Sequence, residues 1–340
     1  MKFLRALLYL AALPALAGVL FGYFGTVHPS LDSLAHFRLH LAVIAALGGL
    51  LMMLVRRKAI GLLVIFSALL PLAFHTGQFP DLADLKLAER IGSRLQPLIG
   101  DRLGLKLTAE AAPVPPGPRY TLLHANLRFD NEDAKGFLRL AGEVNADVMT
   151  LNEVSRQWLP ALETLKSSYP NQLVCSADSV IGGVAILSKR PFLESAENGC
   201  SNGGVLALQH VDFGGRGAVV GAAHLFWPWP HRQAQQISEM RERLRANGKA
   251  GMPLIFAGDL NAVRWSHSVK RIAAFLGAQR LTIPGGSWLH HTIPPPYTQR
   301  FGLPIDNVLV RGLWVTEIGT LPPFGSDHLP VRAEFGFEAE

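Results

Sequence analysis

The chain has 340 residues, of which 49% are hydrophobic and only 17% charged, a balance that points to a portion lying in lipid. The formal net charge is +6 but uneven: 11 Lys+Arg against 6 Asp+Glu precede Arg119, and 21 against 20 follow from there. The near-neutral remainder argues against a strong nonspecific duplex binder, which shows a basic face, and two cysteines exclude a disulfide-rich scaffold and a zinc cluster of cysteines alone.

Residues 4–24 are almost wholly apolar and follow Lys2 and Arg5. Ala15-Leu16-Ala17 resembles a signal cleavage site. A transmembrane helix is preferred, because two further apolar runs follow at 39–55 and 60–74, each near the minimum spanning length. Basic residues set the orientation. Lys2, Arg5, Arg56, Arg57 and Lys58 mark cytoplasmic ends, whereas the first loop has only Arg38, offset by Asp32. Three crossings put everything after His75 outside, so the expectation is a multi-pass inner-membrane protein with a periplasmic or extracellular domain. Residues 81–103 carry Leu82, Leu85, Leu87, Ile91, Leu95, Leu98 and Ile99 at helical spacing. Such an amphipathic helix lies on the bilayer or packs on the soluble domain. The run Ala111-Ala112-Pro113-Val114-Pro115-Pro116-Gly117-Pro118 is a stiff linker. The expected organisation is a membrane region at 1–78, helix and linker at 79–118, and a soluble domain at 119–340.

After the linker strands and helices alternate. Strands are expected at 120–125, 147–151, 183–187, 205–210, 218–224, 253–257, 305–310, 313–318 and 330–335. Helices are expected at 132–144, 156–168, 231–246 and near 269–275. Many short strands with few crossover helices predict mixed sheets with helices on their outer faces.

Six of these segments carry polar chemistry at their ends. In Ile255-Phe256-Ala257-Gly258-Asp259-Leu260-Asn261 an apolar strand breaks at Gly258, and Asp259 and Asn261, two apart, point to one side. A carboxylate beside an amide holds a metal, orients a water or contacts a phosphate oxygen; taken alone, the pair is a turn former. The other endings are Asn126, Asn152-Glu153, His224, Ile305-Asp306-Asn307 and Ser326-Asp327-His328. Singly, His224 reads as a core histidine and Asp306-Asn307 as a turn. Six together predict one cluster at a common edge. Four carboxylates with amides and no cysteine suit a hard divalent ion, Mg²⁺ with Mn²⁺ as the alternative. A histidine beside an Asp is fixed in one tautomer and can carry a proton. No Ser–His–Asp order and no Gly-rich phosphate loop accompanies them.

In order, Asn126, Leu151-Asn152-Glu153, Ala223-His224-Leu225, Gly258-Asp259-Leu260-Asn261, Ile305-Asp306-Asn307-Val308 and Ser326-Asp327-His328-Leu329-Pro330 resemble the motifs of the endonuclease/exonuclease/phosphatase superfamily, over about residues 119–335. The resemblance is closest to its bacterial branch with N-terminal membrane helices. It implies an α/β fold: a four-layer α/β/β/α sandwich of two packed mixed sheets, here preceded by three transmembrane helices. It implies Glu153 as main metal ligand, with Asn126 and Asp327 close to the metal. Asp259 resembles the residue that orients or activates water, and Asn261 a phosphate-oxygen contact. His328 resembles the histidine on the scissile phosphate, held by Asp306, and His224 the histidine near the leaving group. Asn152 stands where Gln is common, Leu260 where Phe is, and Asn307 where His is; none removes a reacting group.

Phe226-Trp227-Pro228-Trp229-Pro230 forms a stiff aromatic loop beside His224, suited to a base, a lipid chain or a packed corner. Cys175 and Cys200 flank the Ser188-Lys189-Arg190-Pro191 hairpin and are expected to pair in an oxidising compartment. The whole reads as a membrane-anchored Mg²⁺-dependent phosphoesterase whose partners are the lipid bilayer and a phosphate-ester substrate, a lipid headgroup or nucleic acid. The alternatives are an extracytoplasmic nuclease and a catalytically silent membrane sensor or scaffold, with a transporter last.

Overall fold

The computed structural model describes residues 2–55, 57–74, 116–176 and 179–338. The helix expected at 81–103 and most of the Pro-rich linker lie outside the described residues.

The N-terminal region forms α1 (Lys2–Phe21), α2 (Pro29–His36), α3 (Arg38–Leu54) and α4 (Lys58–Phe74). The three expected transmembrane helices are not supported. Among the described residues no single helix is long and apolar enough to cross a membrane. α3 and α4 have 17 residues each, about 26 Å at helical rise against a hydrocarbon core of about 30 Å. Lys2 and Arg5 leave only Ala6–Phe21 as the apolar part of α1. α2 and α3 together have the length and composition of a span but bend by 68°. α2 falls in a segment expected to be a loop.

The chain divides into two compact units, Met1–Ala17 with His40–Pro116, and Gly18–Leu39 with Gly117–Glu340. In the first, Ala12, Ala15, Ala45, Met52, Val64 and Ala68 form a small buried cluster. Small residues let the helices approach closely: a side chain on Gly49 would press on the backbone of Gly61.

The second unit contains two sheets. The elements are β1 (Tyr120–Asn126), α5 (Ala134–Val144), β2 (Val148–Val154), α6 (Leu159–Thr164), β3 (Asn171–Val174), β4 (Gly183–Ser188), β5 (Phe192–Leu193), β6 (Gly199–Ser201), β7 (Leu206–Asp212) and β8 (Gly217–His224). They continue as α7 (Gln233–Lys249), β9 (Leu254–Asp259), α8 (His267–Leu276), β10 (Gln279–Arg280), α9 (Thr298–Phe301), β11 (Asp306–Arg311), β12 (Leu313–Thr320) and β13 (Val331–Phe337). One sheet has the order β12-β13-β1-β2-β4-β3; the other has β10-β11-β9-β8-β7-β5, with β6 added to β7. Both are mixed: β1 runs parallel to β2 and β8 to β9, while the other pairings are antiparallel.

Side-chain alternation builds four layers. Leu122, Val148, Val184 and Ile186 of the first sheet meet Val220, Ile255, Ala257 and Val308 of the second between the sheets. The opposite positions of the first sheet, such as Leu123, Met149 and Leu151, pack with Phe137 of α5 and Leu162 of α6. Those of the second, such as Val219 and Phe256, pack with Ile237 and Leu244 of α7 and Ile272 of α8. The expected α/β sandwich of two packed mixed sheets is therefore the fold. The short strands β3, β5, β6 and β10 have no counterpart among the expected elements.

The layer between the sheets changes character along its length. On β1 the inward positions run Tyr120, Leu122, His124, Asn126; on β2, Val148, Thr150, Asn152; on β9, Ile255, Ala257, Asp259. Each strand thus goes from apolar to polar at the same end. Asp306 opens its strand rather than closing it, because β11 runs antiparallel to β9 and pairs Asp306 with Asp259. Ser326–His328 lies in the loop before β13, not on a strand end.

Candidate active site

The polar end of the inter-sheet layer gathers Asn126, Glu153, His224, Asp259, Asn261, Asp306 and His328. Register does most of this: Asn126 lies beside Asn152, His224 beside Asp259, and Asp306 opposite Asp259. β8 and β9 approach so closely here that a side chain at Gly258 would run into the Ala223 backbone, which explains the glycine before Asp259.

Asn126 donates its amide to Glu153 Oε1 and Asp259 Oδ2, both at 3.0 Å. Glu153 Oε2 accepts the Phe129 N–H at 2.9 Å. Asp259 Oδ1 accepts the Asn261 N–H at 2.8 Å, and the Asp259 N–H donates across the sheets to Asn152 Oδ1 at 2.7 Å. Asn152, short where Gln is common, thus ties the two sheets together. Asn261 donates to the Leu225 carbonyl at 2.8 Å. His224 Nε2 stands 3.6 Å from Asp259 Oδ2 and 3.8 Å from Glu153 Oε1. His328 Nδ1 meets Asp306 Oδ2 at 2.8 Å, leaving Nε2 3.5 Å from Asp259 Oδ2. Asp327 accepts from Trp288 Nε1 at 3.0 Å and faces the cleft beside this cluster.

Three non-glycine residues bordering the cluster hold left-handed backbone: Arg128 (φ 56°), Glu153 (φ 55°) and Asn261 (φ 44°). Such strain persists only where surrounding structure fixes it, and it gathers at functional sites.

His124 is missing from the expected set. It is fully buried, with Nε2 at 3.0 Å from Asp306 Oδ1 and Nδ1 against Thr150 O and Oγ1 at 3.2 and 3.1 Å. Asp306 is therefore gripped by two imidazoles. The signal was present, since His124 precedes Asn126 by two and shares its face. Trp288, in an irregular segment, gave none.

Burial governs the titrating groups. It pushes the Asp259 carboxyl up to about 8, against the opposing pull of His328. Burial alone would lower His328, but the Asp306 and Asp259 carboxylates outweigh it and raise it to about 10. Asp306 is pushed up by burial yet drawn well below the usual carboxylate range by His328 and His124. Burial lowers His224, with Glu153 opposing.

Glu153, His224 and Asp259 offer ligand atoms within 4.8 Å of one another. Asp259, Asp306 and His328 do so too, but Asp306 already has both oxygens engaged. Glu153 and Asp259 remain, two carboxylates at a dry edge with one shifted upward by burial. That donor set fits a hard divalent cation. Asn126 turns its NH₂ inward, so it reaches such an ion only after its amide flips.

Glu153, His224, Asp259, Asn261, Asp327 and His328 line a cleft of about 740 Å³. Leu225, Phe226, Trp227 and Trp288 also line it, as do Ile181 and Val205 and the polar residues Arg232, Gln235 and Glu239. Cys175 and Cys200 form the expected disulfide, with Cα atoms 5.6 Å apart. It ties the segment before Gly182 to β6, and Gly182, Asn202 and Gly203 line the cleft.

Fold and site together define a two-sheet sandwich with phosphoester chemistry at its polar edge. Residues 123–328 match the model of the Endonuclease/Exonuclease/phosphatase family. The chain belongs to this family, and it is a metal-dependent hydrolase of phosphoric ester bonds. Among solved structures it is similar to D. rerio TDP2 complexed with single strand DNA product, with 18% identity and a TM-score of 0.52 over 65% of this chain and 100% of that one. It is also similar to beta toxin from Staphylococcus aureus with bound magnesium ions (16%, TM-score 0.49, 64% of this chain and 99% of that one). A third is sphingomyelinase C from Streptomyces griseocarneus (17%, TM-score 0.43, 64% and 99%). No curated protein matches the chain.

Proposed function

We propose that the protein is a membrane-anchored, Mg²⁺-dependent phosphodiesterase acting on a lipid-headgroup or envelope phosphodiester outside the cytoplasm. The observation that carries this reading is the cleft itself, which joins a charged, metal-competent end to an aromatic wall of Phe226, Trp227 and Trp288. Such a cleft suits a substrate with a phosphate and an apolar part.

Glu153, with Asp259 beside it and Asn126 and Asp327 nearby, would hold the ion, which would supply charge neutralisation at phosphate and polarisation of the ester. The remaining chemistry belongs to the chain. Asp259, in its ionised form, orients a water and accepts its proton as the water attacks in line with the leaving group; burial raises the carboxyl to about 8, so the step gains as pH rises toward that value. Asn261 presents its amide to a phosphate oxygen. His328, kept protonated by Asp306, stabilises the charge that grows on phosphate. His224 stands where it can reach the leaving oxygen.

A nuclease is the second reading, since aromatic walls also stack bases and a local patch can serve where total charge is near zero. The intact set from Glu153 to His328 speaks against a silent scaffold. Full-length protein in detergent should cleave bis(p-nitrophenyl) phosphate with Mg²⁺ and not with EDTA, and should cut it faster than p-nitrophenyl phosphate. Phospholipid vesicles should be hydrolysed in preference to a single-stranded oligonucleotide. Faster cleavage of the oligonucleotide would replace the lipid reading with the nuclease.

A further inference from the structure

α2 lies in sequence between two apolar helices, yet it belongs to the same compact unit as the sandwich. Asp32, Ala35 and His36 fasten it there, together with the Ser33 hydroxyl, which donates to the Trp229 carbonyl at 3.4 Å. Asp32, only 2% exposed, accepts from the His267 N–H at 2.6 Å, the Ser268 N–H at 3.0 Å and Ser268 Oγ at 2.7 Å. These amides open α8, where first-turn N–H groups have no partner within the helix, and a carboxylate there also meets the positive end of the helix dipole. The Ala35 carbonyl accepts from Trp265 Nε1 at 2.9 Å. The His36 ring packs edge-on against Trp227, with centroids 5.1 Å apart at 85°.

The Ala35 and His36 fastenings touch segments that carry part of the site, and Asp32 fixes the helix that follows one of them. Val263 and Trp265 follow Asn261, and Ile305 precedes Asp306; all three are buried with Ala35. Trp227 and Trp288 pack against that same cluster and line the cleft, and Trp288 holds Asp327. Trp227 touches Trp288, with ring centroids 5.7 Å apart. α2 therefore packs against the aromatic wall through His36 and the cluster around Ala35.

We infer that α2 is a working part of the substrate cleft, and that Asp32 and His36 are positioning residues which hold the Trp227–Trp288 wall in place for the apolar portion of the substrate. This rests on the reading of the cleft as the substrate site. A small diester that occupies only the charged end gains little from the wall; a substrate with a long apolar portion depends on it, and small displacements of such a surface are felt strongly.

The test uses full-length protein with Mg²⁺ and two diesters, bis(p-nitrophenyl) phosphate and a phospholipid in vesicles. Asp32→Ala and His36→Ala should raise KM for the phospholipid about tenfold. The kcat for the small diester should change less than about twofold. His36→Phe keeps a ring against Trp227 and should restore KM. Equal losses on both diesters, no loss on either, or a His36→Phe variant as poor as His36→Ala would overturn the inference. If Asp32→Ala does not fold, the two His36 variants decide. Should wild type cleave neither diester, the proposed function fails, and hydrogen exchange judges the inference by itself. Peptides covering 225–231 and 286–290 should then exchange faster in His36→Ala than in wild type, and unchanged exchange would overturn it.

Discussion

Asp259→Asn is expected to lower turnover by about 10³-fold or more and, in metal-free buffer, to make the fold more stable than wild type as pH rises. The first effect follows from position. Asp259 is 1% exposed, at the centre of the cluster, and Asn cannot accept a proton from water. The second follows from titration. An unfolded Asp ionises near 3.8, while burial keeps the folded carboxyl protonated up to about 8. The folded state thus holds a proton that the unfolded state has released, so stability is lost as pH climbs between those values. Asn has no proton to lose and escapes that penalty. Thermal midpoints at pH 5, 6.5 and 8 in EDTA should diverge, with the variant gaining on wild type; Mg²⁺ should favour wild type selectively. Parallel pH profiles for the two proteins would refute this account of Asp259.

Asp306→Asn should damage both fold and chemistry. The side chain is 2% exposed and accepts from His124 Nε2 and His328 Nδ1 on separate oxygens. Asn has a single carbonyl acceptor, so one imidazole faces an NH₂ instead. Removing one partner of a buried ion pair costs about 3–5 kcal/mol. His328 also loses what fixes its tautomer and keeps it charged, worth about 10²–10⁴-fold in rate. The stability loss should depend on pH. With Asp306 in place the folded His328 titrates near 10 against 6.5 when unfolded, so its contribution is complete below about 6.5 and disappears as pH rises through about 10. Denaturation of wild type and variant at pH 6 and pH 9.5 should show the larger gap at pH 6. A gap independent of pH would mean that Asp306 does not act through His328.

The reactive edge was legible because it obeys a simple alternation. Every second residue of β1, β2, β8 and β9 faces the opposite sheet, and the polar ones collect at the same end of each strand. Asn126, Asp259 and His224 could be placed that way, and an antiparallel partner brings the start of β11 to the same end. His124 obeys the alternation too, but a histidine inside an apolar strand gives no hint of a partner 182 residues away. Trp288 and α2 were beyond reach for a different reason. α2 has eight residues, too few to hold a helix by propensity, and its anchor Asp32 caps an amide 235 residues further on. Composition shows the apolar runs well, but not where their helices break: among the described residues no single helix is long and apolar enough to cross a membrane, and the one pair that has the length is bent by 68°.

The bonds that tie β1 and β2 to β9 and β11 have a further meaning. Apolar contact between two sheets is non-directional and tolerates sliding, whereas Asn152 to the Asp259 N–H, Asn126 to Asp259 and His124 to Asp306 each admit one alignment. The reactive residues therefore also serve as the dowels of the sandwich. Evolutionary drift can repack the apolar half freely, but it cannot silence the chemistry at Asp306 without loosening the joint, because the His124 bond is made by that side chain. A descendant that abandons catalysis by losing Asp306 must first find another way to pin its sheets.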